Sequence, residues 1–218
     1  MQKNSTKESV LSSPPPGARK DVGIVYYGAG NLFSLTAALD RQQITYGLIT
    51  SLEDFDLYDR YIIPGVGHAG AAMQKLEESG FVPKIKSLEK PVLGICVGMQ
   101  LLTAFSEEGN SDLTSIIPVN TIQFKGGELK LKVPHMGWNR VAVEKKNPLF
   151  IGIENNSYFY FVHSYYIQYN SKFTLGSTDY GIKFSASINK NNFYGVQFHP
   201  EKSGEAGERI LKNFTYLK

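Results

Sequence analysis

The chain contains a single cysteine, Cys96, which stands in "PVLGICVGMQLL" (91–102) with Gly94 two places before it and Gly98 two places after. An apolar run ends here and a helical pattern begins. Gly94-Ile95-Cys96-Val97-Gly98 therefore has the form of a strand-to-helix turn that holds a nucleophile on a strained, closely folded backbone. At the start of the following helix, free N–H groups and the positive dipole end favour the thiolate, the reactive form of the side chain. The backbone N–H of Val97 is then a donor for an oxyanion. An ordinary buried cysteine fits the same glycines, and a general base is needed to separate the two readings.

The chain has four histidines, His68, His135, His163 and His199. "FYGVQFHPEKS" places His199 just after an alternating strand, with Glu201 two residues on and Pro200 fixing the turn between them. In that arrangement Glu201 accepts the second ring N–H of His199, sets its tautomer and stabilises the imidazolium formed when the ring takes a thiol proton. A base with its own carboxylate favours the nucleophile reading of Cys96. On spacing alone, His135 and His163 read as structural histidines bonded to backbone. His68, in a glycine loop, fits either role.

The hydrophobic pattern gives the elements that must position these groups. "VGIVYY" (22–27) reads as a buried strand, and "LFSLTAALDRQ" (32–42) has helical spacing with Asn31 at its N-cap. The unit recurs as "YIIPG" then "GAAMQKLEES", and as "PVLGI" then "VGMQLLTAF". Later pieces are shorter and strand-like: "NTIQF", "LKLKVP", "NRVAVE", "SYFYFVHSYY", "KFTLGS", "FSASI" and "FYGVQF", before a closing helix in "GEAGERILKNFTYL". The expected fold is α/β: an open mixed sheet whose central parallel strands are flanked by helices, with an added antiparallel portion. It occupies residues 21–218 as one domain, behind a polar, Pro-rich extension over 1–20 that is expected to be disordered. The Gly28-Ala29-Gly30-Asn31 loop lacks the dinucleotide fingerprint, because its third glycine would fall at Phe33. Pro64-Gly65-Val66-Gly67 follows a strand at the carboxyl edge of the sheet, and both an oxyanion site and a simple turn fit it.

Composition narrows the chemistry. The net charge is +3, with the charges interspersed, so neither a nucleic-acid footprint nor a polybasic membrane patch is present. One cysteine excludes an intrachain disulfide and a multi-cysteine metal site, so no metal or other cofactor is expected, and a reducing cytoplasmic setting is the natural reading. No apolar stretch approaches the roughly eighteen residues of a membrane span.

Taken together, these motifs resemble the class I, or triad, glutamine amidotransferases. "YYGAGNLFSL", "PGVGHAGAAM", "VPHMGWNRV", "PLFIGI", "SYFYFVHSYY" and "EKSGEAGERILKNF" narrow the resemblance to the glutaminase subunits of imidazole glycerol phosphate synthases, which serve histidine biosynthesis. The resemblance covers Asp21 to Lys218. It implies glutamine hydrolysis through a γ-glutamyl thioester on Cys96, with His199 as base and then acid, and Glu201 orienting it. It implies that Gly65, Val66 and Gly67 form an oxyanion strand that rearranges a peptide to present its donor. Gln100, His163, Ser164 and Tyr165 fall where such enzymes contact glutamine or shape its pocket. The implied partner is a (β/α)8 cyclase subunit in a heterodimer, with Asn31, Trp138, Tyr160 and Lys202 at the interface or hinge. Ammonia in bulk water is mostly protonated and non-nucleophilic, so low activity alone and strong activation by the liganded partner are expected. The alternative is a paralogous glutaminase supplying ammonia for nucleotide-sugar or surface-polysaccharide modification.

Overall fold

Residues 22–28, 30–125, 127 and 131–218 are described by a computed structural model. The expected N-terminal extension and Asp21 lie outside them. Five parallel strands form the centre: β1 (Val22–Val25), β2 (Tyr46–Ile49), β3 (Tyr61–Gly65), β4 (Val92–Cys96) and, from the end of the chain, β13 (Phe193–Val196). They lie in the order β2-β1-β3-β4-β13. β1, β3 and β4 are buried at every residue, as expected of strands covered on both faces, so their sequences read as continuous apolar runs.

The covering helices present apolar residues at helical spacing. α1 (Leu32–Arg41) buries Leu35, Ala38 and Leu39, and α2 (Ala69–Glu78) buries Ala69, Ala72, Met73 and Leu76. α3 (Phe81–Lys86) and α4 (Val97–Leu101) are short, and α5 (Gly204–Phe214) closes the chain on Gly207, Ile210, Leu211 and Phe214. Asn31 caps α1 as the sequence indicates, its side chain accepting the Ser34 N–H at 3.4 Å.

Beyond β13 the sheet is antiparallel except where β5 pairs with β7 in parallel. β12 (Lys183–Lys190) pairs with β13, then come β10 (Tyr165–Gln168) and β7 (Asn120–Gln123), and the two-residue strands β5 (Phe105–Ser106) and β6 (Ser111–Asp112) complete that edge. β11 (Thr174–Asp179) links β12 to β8 (His135–Val143), which pairs with β9 (Ser157–His163). In that last pair Trp138 lies opposite Tyr160, and His135 opposite His163. The class of fold is the one expected: an open mixed sheet with a parallel centre and an antiparallel addition.

Two details differ from the sequence reading. "VGMQLLTAF" is not one helix: α4 ends at Leu101 and Phe105 enters β5. The Ala104 N–H is drawn to Val119 O at 2.9 Å, and the Thr103 hydroxyl closes the turn on Gln100 O at 2.8 Å, so the chain leaves the helix for the sheet edge. "LKLKVP" is not a strand over 131–134, and Leu129 and Lys130 lie outside the described residues.

Candidate active site

Cys96 is the last residue of β4 and has φ +55° and ψ −111°, a conformation that side-chain-bearing residues rarely adopt. The neighbouring glycines make the turn possible. A Cβ on Gly98 would run into the carbonyl oxygen of Ile63, and one on Gly94 into the carbonyl oxygen of Gly98. On Gly65 of the adjacent strand it would lie 2.6 Å from the Gly98 nitrogen. β3, β4 and α4 therefore meet backbone against backbone, and Cys96 is pushed out at the carboxyl edge of the sheet. With α4 so short, electrostatic help to the thiolate comes from the open N–H groups of its first turn, Val97 included, more than from a long macrodipole.

His199 is delivered from the other side. Phe198 stacks on Phe159 with ring centres 4.1 Å apart, fixing the end of the chain that follows β13. The His199 N–H donates to Tyr160 O at 2.9 Å, and the Ser203 hydroxyl bridges the segments, donating to His199 O at 2.6 Å and accepting from the Tyr160 N–H at 3.0 Å. The ring lies 2.8 Å through Nδ1 from Glu201 Oε1, with both side chains almost wholly buried. Burial pushes the ring's pKa down, but Cys96 and the Glu201 carboxylate outweigh it and raise it to about 10. With Nδ1 held by Glu201, Nε2 has no hydrogen-bond partner among the described residues, and Cys96 is near enough to raise the ring's pKa. The histidine–carboxylate pair read from the sequence is thus formed, and it is directed at the thiol. Ser203, the last residue of the quoted "HPEKS", was not singled out by sequence reasoning.

The Gly65-Val66-Gly67 stretch borders the same centre. Gly65 pairs in register with Cys96, and Asn31, Leu35, Pro64, Gly65, Val66 and Ile95 line a narrow cleft with His199 and Glu201. Both ends of the stretch are tied. The Tyr27 hydroxyl donates to Pro64 O at 2.7 Å, and beyond Gly67 the His68 ring and the Glu108 carboxylate cap α2 by accepting the Ala71 and Ala69 N–H groups at 3.2 and 2.6 Å. Between the ties Val66 is exposed, and Gly67 has φ +91° with open space around it. Of the two roles open to His68, the structure assigns helix capping.

Gln100 extends from α4 into the floor beside the thiol. Its Nε2 donates to Gln197 Oε1 at 3.1 Å, and Gln197 Nε2 in turn donates to Cys96 Sγ at 3.7 Å. Its Oε1 is buried with no partner among the described residues, an acceptor open to a ligand. Gln197, just past the end of β13 and two places before His199, was not singled out from the sequence. His163 is buried with both ring nitrogens engaged, by Tyr165 O at 2.7 Å and His135 Nδ1 at 2.9 Å, which leaves neither free for a further hydrogen bond. Ser164 and Tyr165 follow it, both half-buried. Trp138 and Tyr160 meet edge to face at 6.0 Å, and Trp138 and Lys202 are exposed.

Fold and site together define an open-sheet α/β protein in which a buried cysteine at a strand-to-helix turn lies beside a carboxylate-backed histidine. More narrowly, the chain belongs to the class-I glutamine amidotransferases, whose family model matches residues 20–217. It is 48% identical over 196 residues to imidazole glycerol phosphate synthase subunit HisH of Bacteroides fragilis, covering 90% of this chain and 99% of that one. It is 46% identical to the HisH protein of Pasteurella multocida, covering 90% and 98%. Among solved structures, the fold is similar to PurLQS from Thermotoga maritima, with a TM-score of 0.69 at 16% identity over 90% of this chain and 98% of that one. It is also similar to a glutamine amidotransferase from Thermotoga maritima, with a TM-score of 0.62 at 14% identity over 90% and 83%.

Proposed function

We propose that this chain is the glutaminase of an imidazole glycerol phosphate synthase, hydrolysing glutamine at Cys96 and passing ammonia to a (β/α)8 cyclase subunit in histidine biosynthesis. The observation that carries the reading is the Glu201-backed His199 directed at Cys96, in a chain almost half identical, over nearly its whole length, to HisH proteins. Those relatives favour this pathway over the surface-polysaccharide alternative. No helix among the described residues is long and apolar enough to cross a membrane, and we place the reaction in the cytoplasm, with residues 21–218 acting as one domain.

His199 takes the Cys96 proton on Nε2 and, held charged by Glu201, keeps it while the sulfur attacks the side-chain carboxamide carbon of glutamine. The C–S bond forms as the carbonyl π bond opens, and the oxyanion is received by N–H groups of the Gly65–Gly67 strand and Val97. His199 then protonates the nitrogen, the C–N bond breaks and ammonia departs. Water, deprotonated by the same ring, cleaves the thioester to glutamate. Gln100 Oε1 offers the substrate an acceptor, and Ser164 and Tyr165 border the pocket. Glu107 and Glu108 lie near enough to Tyr165 to raise its pKa, after burial. Asn31, Trp138, Tyr160 and Lys202 form the face that meets the cyclase.

The test is glutamate release by the purified chain, alone and with a histidine-pathway cyclase plus its ribotide ligand, with Cys96→Ala as the control. Strong activation, abolished in the variant, is expected. Equal turnover with and without the cyclase would contradict the coupling, and turnover surviving in Cys96→Ala would contradict the thioester.

A further inference from the structure

A line of hydrogen bonds runs from the β8–β9 pair to the thiol, and its proton positions are fixed from both ends. At the outer end, Asn139 Oδ1 accepts the Arg140 N–H at 2.8 Å while its Nδ2 donates to Asp179 O at 3.0 Å, so the amide has one orientation. That Nδ2 lies 3.2 Å from His135 Nε2, which must therefore accept, leaving the proton on Nδ1. His135 Nδ1 then donates to His163 Nε2 at 2.9 Å, and His163 Nδ1 donates to Tyr165 O at 2.7 Å. Followed from the inner end, where a backbone carbonyl can only accept, the same tautomers result.

The two rings sit among aromatic side chains, His135 stacking on Tyr180 at 4.1 Å and on Phe161 at 4.9 Å. Burial lowers the pKa of His135 to about 4 and, with the neighbouring charges, that of His163 to about 3, so both are neutral at physiological pH. Inward of Tyr165 O the line continues through Gln100 Nε2 at 3.5 Å, Gln197 and Cys96. On the opposite face of β8, Met136 and Trp138 alternate outward and are exposed.

We propose that His135 and His163 work as one uncharged unit that positions the Tyr165 carbonyl and the Gln100 amide, tying the pocket beside Cys96 to the strand pair that carries Met136 and Trp138. They are positioning residues and touch no substrate; the inference rests on the glutaminase reading. A line in which each N–H has its own acceptor permits few arrangements, so a shift of β8 changes the pocket instead of being absorbed by loose side chains.

The experiment uses the full chain with a saturating amount of the cyclase and its ribotide ligand. His135→Phe keeps the ring stacking and removes the donor, whereas His135→Asn keeps an N–H near the Nδ1 position. In His135→Phe the KM for glutamine is expected to rise about ten-fold while kcat stays within about three-fold. Alkylation of Cys96 by iodoacetamide, which needs no pocket, should be unchanged, and His135→Asn should recover most of the parent KM. A parent-like KM in His135→Phe would overturn the proposal. So would losses of kcat, KM and alkylation together without rescue by Asn, because that pattern belongs to packing alone. Saturable labelling of the parent protein by a glutamine-shaped chloroketone is measured first, and its absence would overturn the glutaminase reading itself, before any histidine variant is considered.

Discussion

Cys96 is held at a backbone angle that its own side chain disfavours, and the site depends on that strain. Glycine at this position would relax it, whereas alanine retains the Cβ that causes it. Cys96→Gly is therefore expected to be more stable than Cys96→Ala by about 1 kcal/mol after allowing for the greater chain entropy of glycine, read as a higher unfolding temperature, with both variants inactive. Equal stabilities would mean that the strain is no larger than the entropy cost of the glycine. Gly98→Ala has the opposite fate: its new methyl meets the Ile63 carbonyl in a part of the core where no backbone can yield, and little soluble protein should be recovered at 37 °C. These residues were legible in the sequence because glycine spacing and "HPE" record close approach and local pairing directly. Gln197 and Ser203 were not, because each acts on a partner far along the chain, Gln197 on Cys96 and Ser203 on Tyr160.

Elements decide how freely the proposed oxyanion strand, Gly65–Gly67, moves. Its leading end is tied by the Tyr27 hydroxyl to Pro64 O, and burial, with Cys96 adding to it, raises the phenol's pKa well above the usual range, so it remains a donor. Tyr27→Phe removes that tie at a cost of about 1 kcal/mol. If the ties favour the resting form, the variant should show higher glutaminase activity without the cyclase and an activation ratio reduced at least about three-fold. A lower basal rate with an unchanged ratio would mean that the tie supports the active form. The amphipathic spacing of α1 and α2 and the Asn31 cap could be read from sequence because they are local. The edge strand β2 and the six-residue α3 drew no reading, being too short for periodicity to register. The early end of α4 depends on Val119 capturing Ala104, a contact that no window of sequence contains.

At the scale of the whole molecule, buried histidines of opposite character set the pH range of stability. His135 and His163 are neutral in the fold, with pKa values of about 4 and 3 against 6.5 for a free side chain. The unfolded chain therefore binds more protons below pH 6.5, and the stability these rings contribute, complete above that value, is lost as pH falls through their folded values. His199 has the reverse sign. Its pKa, raised to about 10 from 6.5, makes its contribution complete below pH 6.5 and progressively lost as pH rises toward 10. The charge on His199 also helps keep His163 neutral, so the two effects belong to one arrangement. Denaturant unfolding between pH 4 and 10 should give a maximum near neutrality, each histidine changing the slope by at most about 1.4 kcal/mol per pH unit. His135→Phe should flatten the acid side alone, and Glu201→Gln should move the alkaline decline to lower pH. If His135→Phe left the acid side unchanged, His135 would have to be protonated in the fold, and the tautomer line to Tyr165 would not exist in solution. If Glu201→Gln left the alkaline side unchanged, the carboxylate would be orienting His199 without holding its charge.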